Sequence, residues 1–140
     1  MTVNSFIEAI AKRLGELFPG RLVYVDQIPA KAEGNHFIRC MEQGQSLGLG
    51  RQRRRAYSFE VVYFLQEREN MAFHQWAEAM YQGFEALKVG EQLIRLKNLQ
   101  AQPGDDMAFR FTFDANVYAL LKKEPEEPME AVDTRLIIKE

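Results

Sequence analysis

The chain has 140 residues, of which 46% are hydrophobic, and this is enough for one globular domain with its own core. Its 18 basic and 20 acidic residues give a formal net charge of -2, which excludes a strongly basic domain dedicated to nucleic acid. The single cysteine, Cys40, lies in an apolar stretch, which favours core packing in a reducing compartment over a reactive thiol. No segment approaches the roughly 20 apolar residues that cross a bilayer, so we expect a soluble protein with no membrane partner.

The first predicted element is an amphipathic helix. Asn4 or Ser5 is its expected N-cap, and Pro19-Gly20 is its expected end. Between them the apolar residues recur at helical spacing, at Phe6, Ile7, Ile10, Leu14, Leu17 and Phe18.

Three strands are predicted next. Residues 21–25 and 36–41 form short strands joined by a loop, and glycines at 44, 48 and 50 interrupt the chain before a long strand over residues 53–65. This third strand places Tyr57, Phe59 and Val61 on one face and Ser58 and Glu60 on the other, before both faces become apolar. We expect it at the centre of the sheet.

A second helix is predicted after Asn70, its expected N-cap. Its apolar positions recur at intervals of three and four, at Phe73, Trp76, Ala77, Met80, Tyr81, Phe84 and Leu87. Gly83 falls inside this pattern, so we expect another backbone to approach closely there, and we expect Gly90 to end the helix.

A long hairpin is predicted in the C-terminal half. Its first strand, residues 93–102, changes face near Lys97-Asn98, which predicts a β-bulge. Residues 103–106 form a turn, and residues 107–120 alternate so regularly that a straight strand would be roughly 46 Å long. We expect a hairpin of this length either to bend over the core or to project from it.

The last segment is an acidic proline linker, residues 124–128, followed by strand character over residues 131–139. We expect residues 1–123 to form a single domain. Residues 124–140 either belong to that domain or pair with a neighbouring subunit, and the sequence leaves both open. Because most connections are too short for crossovers, the element order predicts an α+β fold: a largely antiparallel β-sheet with two helices packed on one face.

No combination of residues indicates catalysis. His36 and His74 are far apart and lack the neighbours of a metal motif, so surface or structural roles are expected for both. The glycines of residues 44–50 are followed by a strand and not by a Lys-Ser/Thr pair and a helix, which disfavours phosphate binding. We therefore predict no enzyme activity, no cofactor and no metal site.

A basic cluster lies where the glycine-rich segment meets the long strand, and it consists of Arg51, Arg53, Arg54 and Arg55. At strand spacing Arg53 and Arg55 share a face, which Arg54 opposes. The cluster is a solvated sheet edge protected by charge, a salt-bridging surface for an acidic protein, or a contact with nucleic-acid backbone. The net acidity and the expected absence of exposed aromatic residues nearby favour protein over nucleic acid.

Leu47 and Leu49 lie between these glycines, without helical or strand partners of their own. Exposed apolar residues in such a loop become ordered against another subunit or fold back onto the core, and both outcomes are open.

The order of these motifs resembles the tail terminator family of long-tailed bacteriophages, in particular the short prophage tail-assembly proteins. The resemblance runs from the helix ending in Leu17-Phe18-Pro19 through residues 23–26, 36–38 and 50–64 to the aromatic helix and the late hairpin. It implies an α+β subunit that assembles in the cytoplasm of a bacterial host, as a ring expected to be a hexamer, on the end of a completed tail tube. The ring would stop polymerisation of the tail tube protein and, at the head-proximal end of the virion tail, contact a head-completion protein.

The candidate interface with a neighbouring subunit or the tail tube comprises Leu47, Leu49, Arg51, Arg53, Arg54, Arg55, Leu136, Ile137 and Ile138. The alternative function is a nucleic-acid-binding adaptor that uses the basic cluster.

Overall fold

A computed structural model describes residues 2–65, 70–104, 106–122 and 137–139. Within these ranges lie the helices α1 (Val3–Leu17) and α2 (Asn70–Gly83). The strands are β1 (Val23–Tyr24), β2 (His36–Leu47), β3 (Gln52–Phe64), β4 (Ala86–Val89), β5 (Gln92–Arg95), β6 (Lys97–Pro103), β7 (Ala108–Lys122) and β8 (Ile137–Lys139).

The main sheet has six strands, in the order β1-β2-β3-β7-β6, with β8 also paired to β7. Its pairings are antiparallel except that of β1 with β2, where Val23 lies opposite His36 in a parallel pair. The strands β4 and β5 form a separate antiparallel pair. The predicted α+β class with a largely antiparallel sheet is confirmed, as is the central position of the long aromatic strand, β3.

Both helices contact the main sheet through aromatic side chains. The ring of Phe6 in α1 lies 5.6 Å from that of Phe59, and the ring of Trp76 in α2 lies 6.3 Å from that of Phe111. Val61 is two residues beyond Phe59 on β3 and lies opposite Phe111, so all three share one face of the sheet. All five of these side chains are buried, and the packing of both helices on one face of the sheet stays a prediction.

The helix α1 begins earlier than predicted. Thr2 is its N-cap, and Thr2 Oγ1 accepts a hydrogen bond from the backbone N–H of Ser5 at 3.2 Å. Ser5 Oγ in turn accepts from the backbone N–H of Thr2 at 2.7 Å. This reciprocal capping box satisfies two backbone donors at once, so the prediction of Asn4 or Ser5 as the cap is wrong.

The strand β2 is longer than predicted. Beyond a bulge between Cys40 and Glu42 it stays paired with β3 as far as Leu47, opposite Arg53. Gly44 therefore lies inside a strand instead of ending it, and the turn of the hairpin is confined to residues 48–51. Gly50 in that turn has φ 60, a conformation that favours glycine.

The segment after α2 also differs from the prediction. The helix ends at Gly83, and Leu87 belongs to β4, which pairs with β5 in a short hairpin. Gly90, with φ 62, lies in the turn of that hairpin and does not end the helix. The predicted strand over residues 93–102 is divided at Leu96 into β5 and β6. The helical spacing of apolar residues continues past the end of α2 because α2 and β4 bury side chains in the same core.

Gly83 is a point of close contact between the two helices. A β-carbon at this position would collide with the side chain of Leu17 in α1, and Arg13 Nε donates a hydrogen bond to the carbonyl oxygen of Gly83 at 2.8 Å. The close approach expected at Gly83 is therefore made by a side chain and not by another backbone.

The long C-terminal strand is present as β7, with 15 residues. The bulge predicted near Lys97-Asn98 is confirmed, because the pairing of β6 with β7 shifts register between Lys97 and Gln100 and Asn98 has φ 55. The strand β7 extends further than β6. Beyond Asp114, which lies opposite Lys97, β7 continues to pair with β3 as far as the end of the sheet.

Candidate assembly interface

The distal part of the main sheet forms an extension that we call the arm. It consists of residues 42–57, residues 115–122 and the strand β8. Leu47 is 79% exposed and Leu49 is 89% exposed at its tip. Of the two outcomes that the sequence left open for these leucines, folding back onto the core is therefore excluded. Large apolar side chains held in solvent by a paired hairpin are typical of an interaction surface.

Two arginines lie on the same face of the arm as the core residue Tyr57, as predicted from strand spacing. Arg55 Nε donates a hydrogen bond to Gln45 Oε1 at 3.1 Å, and Arg55 Nη1 donates to the hydroxyl of Tyr57 at 3.4 Å. Arg53 Nη1 donates to the carbonyl oxygens of Gly50 and Gln52, at 3.0 and 2.9 Å. Because those two acceptors are uncharged, they orient the charge of Arg53 without neutralising it.

Arg54 lies on the opposite face, as predicted, beside Tyr118 of β7. Its Nη2 donates a hydrogen bond to the hydroxyl of Tyr118 at 3.3 Å, and its guanidinium carbon lies 5.5 Å from the centre of the ring. Tyr118 is 62% exposed, so the expectation that no exposed aromatic residue lies near the arginines is wrong. The pairing of β3 with β7 brings the two residues together, and the sequence did not reveal this pairing.

Arg51 occupies the exposed turn of the hairpin, next to Gly50. The basic cluster therefore surrounds the arm: Arg51 at the tip, Arg53 and Arg55 on one face and Arg54 on the other. This distribution suits contact with an acidic surface that receives the whole arm, because cations on every side attract a negative partner in several orientations.

A groove of about 630 Å³ lies at the base of the arm, where α1 begins. The described residues that line it are Thr2, Val3, Asn4, Gln43, Gly44, Gln45, Arg55 and Tyr57. Arg55 is the only charged side chain among these residues, and most of the others offer amide or hydroxyl groups. Such a lining suits a polar segment of a partner protein.

The other large cluster of charges on the sheet is internally neutralised. Glu60, 6% exposed, accepts hydrogen bonds from Arg39 Nε at 2.8 Å and from Arg110 Nη1 at 3.3 Å. Arg110 also pairs with Asp106. Two carboxylates and two guanidinium groups balance one another here.

His36 is buried in the core and has a structural role, one of the two roles predicted for it. Its Nε2 accepts a hydrogen bond from Trp76 Nε1 at 3.2 Å, and its ring lies 5.1 Å from that of Phe18 and 4.9 Å from that of Tyr63. Burial, and then the charge of Arg21, lower the pKa of His36 from 6.5 to about 3. Its Nδ1 has no hydrogen-bond partner among the described residues.

Within the described part of the chain, no group of three or more His, Cys, Asp or Glu side chains is placed to hold a metal ion. Cys40 is half-buried, and burial raises the pKa of its thiol, which disfavours the reactive thiolate. No helix in the described ranges is long and apolar enough to cross a membrane.

The C-terminal candidates are only partly described. Ile137 and Ile138 belong to β8, where they lie opposite Lys122 and Leu121 of β7 in the same chain. Leu136 and the acidic linker at residues 124–128 lie outside the described residues. Of the two pairings that the sequence left open, β8 here takes the one within its own sheet.

Comparison with known proteins identifies the family. The family model of the phage tail terminator protein matches residues 5–129. No curated protein matches the chain. One similar solved structure is 19% identical, the alignment covers 90% of this chain and 99% of that chain, and the TM-score is 0.43, which is too low to support further argument. Because the family model spans most of the sequence, the chain belongs to the phage tail terminator family.

Proposed function

We propose that this protein caps the phage tail tube: it binds the end of the completed tube, stops the addition of tail tube protein and presents a surface to a head-completion protein. Membership of the tail terminator family supports a role in tail assembly. The observation that carries the finer proposal is the arm, where Leu47 and Leu49 stand exposed beside the arginines.

The two kinds of side chain on the arm contribute differently to binding. Burying a leucine side chain fully against a partner contributes roughly 1.5–3 kcal/mol, so the tip supplies affinity. The arginines supply attraction and orientation toward an acidic surface, because charge complementarity acts more on the rate and specificity of association than on affinity. We therefore assign the tail tube contact to the tip of the arm and its basic cluster.

The proposal includes self-assembly at the head-proximal end of the virion tail, after synthesis in the cytoplasm of the bacterial host. We expect six copies in a ring, in which residues 1–123 form the domain of each subunit and residues 124–140 add a linker and a strand. A ring requires heterologous contacts, in which one patch binds a different patch on the next copy. A protein that acts only through such contacts needs neither a cofactor nor a catalytic group.

The proposal is tested by polymerising purified tail tube protein from the same phage in the presence of increasing amounts of this protein. We expect mean tube length, measured by electron microscopy, to fall as the amount of the protein rises. A double variant with Leu47→Ser and Leu49→Ser should lose this effect, because the tip no longer buries apolar surface. Leu93→Ser is the matched control, since Leu93 is 71% exposed on β5, outside the arm.

Unchanged tube length with the wild-type protein would refute the capping function. If the wild type shortens tubes and the double variant shortens them equally, the function stands but the arm is not the tube contact.

A second candidate function, nucleic-acid binding, is supported by the contact of Arg54 with the exposed ring of Tyr118. Aromatic and guanidinium groups together stack on bases and contact phosphates. This candidate predicts that binding to a DNA oligonucleotide weakens steeply with salt, and that Arg54→Ser weakens binding by about tenfold, the loss of one charge-assisted contact. Arg95→Ser, an exposed substitution on β5, is the control. Absent or salt-independent binding would eliminate this function.

A further inference from the structure

The arm begins at a row of residues that crosses four strands of the main sheet. Glu42 of β2 lies opposite Ser58 of β3. Ser58 lies opposite Asp114 of β7, which in turn lies opposite Lys97 of β6. We call these four residues the base row. On one side of the base row the sheet belongs to the domain, and on the other side β2, β3 and β7 continue as the arm.

Both outer strands change register at the base row. In β2 the shift falls between Cys40 and Glu42, and in β6 it falls between Lys97 and Gln100. The two central strands, β3 and β7, stay in one register throughout. A register shift of this kind interrupts the hydrogen bonds of the ladder and bends the strand, so the base row is where we expect the sheet to bend most easily.

The arm also loses support from a neighbouring strand at the base row. The strand β6 pairs with β7 as far as Asp114, and the pairing of β8 with β7 begins at Leu120. Between these two residues, no strand in the described part of the chain lies on that side of β7. The orientation of the arm relative to the domain therefore depends on how β7 is held at its last contact with β6.

The side chain of Asp114 makes that contact. Its Oδ1 accepts a hydrogen bond from Ser58 Oγ at 2.7 Å, and its Oδ2 accepts one from Asn98 Nδ2 at 2.7 Å. Hydrogen bonds to a carboxylate are shorter and stronger than those between neutral groups. Because Ser58 belongs to β3 and Asn98 belongs to β6, one side chain joins both long strands of the arm to a strand of the domain.

The backbone of Asn98 makes this contact testable. Asn98 lies within the bulge of β6 and has φ 55, in the left-handed region. Glycine adopts this conformation more readily than asparagine does, but it carries no amide group. Asn98→Gly therefore removes the hydrogen-bond donor to Asp114 without straining the backbone.

The opposite face of the sheet is held by ring packing at the same level. The ring of Phe6 in α1 lies 5.5 Å from that of Tyr57 and 5.6 Å from that of Phe59. Tyr57 and Phe59 flank Ser58 along β3 and point to the other face. All three rings are buried. Apolar contact thus holds one face and hydrogen bonds hold the other, and the hydrogen bonds are the part that a substitution removes without emptying the core.

We propose that Asp114 is the positioning residue of the arm. By holding β7 between Ser58 and Asn98, it fixes the orientation in which the arm presents Leu47 and Leu49 to the tail tube. A surface that is oriented before it binds loses less conformational freedom on binding, so Asp114 raises the affinity of the tip without contacting the tube. This inference rests on the proposed tube contact and adds the residue that orients it.

The first measurement is the tube-length experiment with variants of the full chain. For Asp114→Ala, which removes both hydrogen bonds, the amount of protein that halves mean tube length should rise by about tenfold. For Asn98→Gly, which removes one, it should rise by about threefold. Asp114→Asn should change it by less than about twofold, because the new amide still accepts from Ser58 and donates to Asn98 Oδ1 once that amide turns over. Gln100→Ala, an exposed substitution on β6, is the control.

The second measurement reports the orientation of the arm directly. Spin labels attached to Gln52→Cys on β3 and Glu78→Cys on α2, two exposed positions, give a distance distribution in a Cys40→Ser background. This distribution should broaden or shift in Asp114→Ala and Asn98→Gly and should match the wild type in Asp114→Asn. The urea midpoint of Asn98→Gly should not fall, because glycine suits the left-handed backbone.

A merely structural role for Asp114 predicts a different result. Lower urea midpoints with an unchanged distance distribution would overturn the positioning role. Tube shortening equal to that of the wild type in both Asp114→Ala and Asn98→Gly would also overturn it. A changed distribution and weaker tube shortening in Asn98→Gly, at the wild-type urea midpoint, would support it.

The two measurements together separate this failure from failure of the proposed function. If the wild type shortens tubes and the variants shorten them equally, the positioning role fails and the capping function stands. If the wild type leaves tube length unchanged, the capping function fails, and a changed distance distribution would still show that Asp114 orients the arm.

Discussion

Replacing Glu60 by alanine is expected to lower the free energy of unfolding by about 2 kcal/mol. Glu60 is 6% exposed on the central strand, with Arg39 and Arg110 as its partners at 2.8 and 3.3 Å. Without the carboxylate, two guanidinium groups face one another with no negative charge between them. Breaking a fully buried pair costs about 3–5 kcal/mol, but solvent screens the arginine side chains, which are 54% and 33% exposed. Urea denaturation at neutral pH measures the effect.

The matched control for this experiment is Glu78→Ala on α2. Glu78 is an exposed carboxylate that accepts a hydrogen bond from Gln82 one turn later in the same helix. Its replacement should change the free energy of unfolding by less than about 0.5 kcal/mol. Equal losses for the two variants would show that the Arg39–Glu60–Arg110 cluster contributes no more than an exposed pair.

Acid is expected to destabilise the protein through His36. Its pKa is about 3 in the folded protein and 6.5 in the unfolded chain, so between these values only the unfolded chain binds the proton. The free energy of unfolding therefore falls as the pH drops below 6.5, by about 1.4 kcal/mol per pH unit, and the loss is complete near pH 3. Between pH 6.5 and 5, the expected loss is about 2 kcal/mol, measured by urea denaturation at each pH.

Two variants attribute this pH dependence to one residue. His36→Gln keeps an acceptor for Trp76 Nε1 but cannot titrate, so the loss between pH 6.5 and 5 should largely disappear. His74→Gln changes an exposed histidine on α2 and should preserve the wild-type slope. A wild-type slope in His36→Gln would contradict the assignment, whatever the absolute stability of that variant.

Much of the fold is readable from local patterns. Alternation identified the strands β3 and β7, helical spacing identified the helix α1, and a change of parity located the bulge near Lys97-Asn98. These signals are local because an element with one buried face has apolar residues that recur with a period of two in a strand or 3.6 in a helix. The same alternation placed Arg53 and Arg55 on one face of β3 and Arg54 on the other.

The remaining features depend on which segments pair, and local patterns carry little information about pairing. The strand β2 extends past Gly44 because β3 continues beside it, although its own sequence there is polar and glycine-rich. The contact of Arg54 with Tyr118 follows from the register of β3 and β7. The burial of His36 had a faint signal, since His36 and the buried Ile38 share a face of the strand.

The bulge in β2 affects the direction of the arm but not the side chains that the arm carries. Cys40 lies opposite Phe59 and Glu42 lies opposite Ser58, so Met41 is the extra residue. A chain without Met41 would keep every later pairing, Leu47 opposite Arg53 included. What it would lose is the added twist and bend that a bulge gives its strand. The angle at which the arm leaves the domain can thus change through one residue at its base, while the side chains that it carries stay the same.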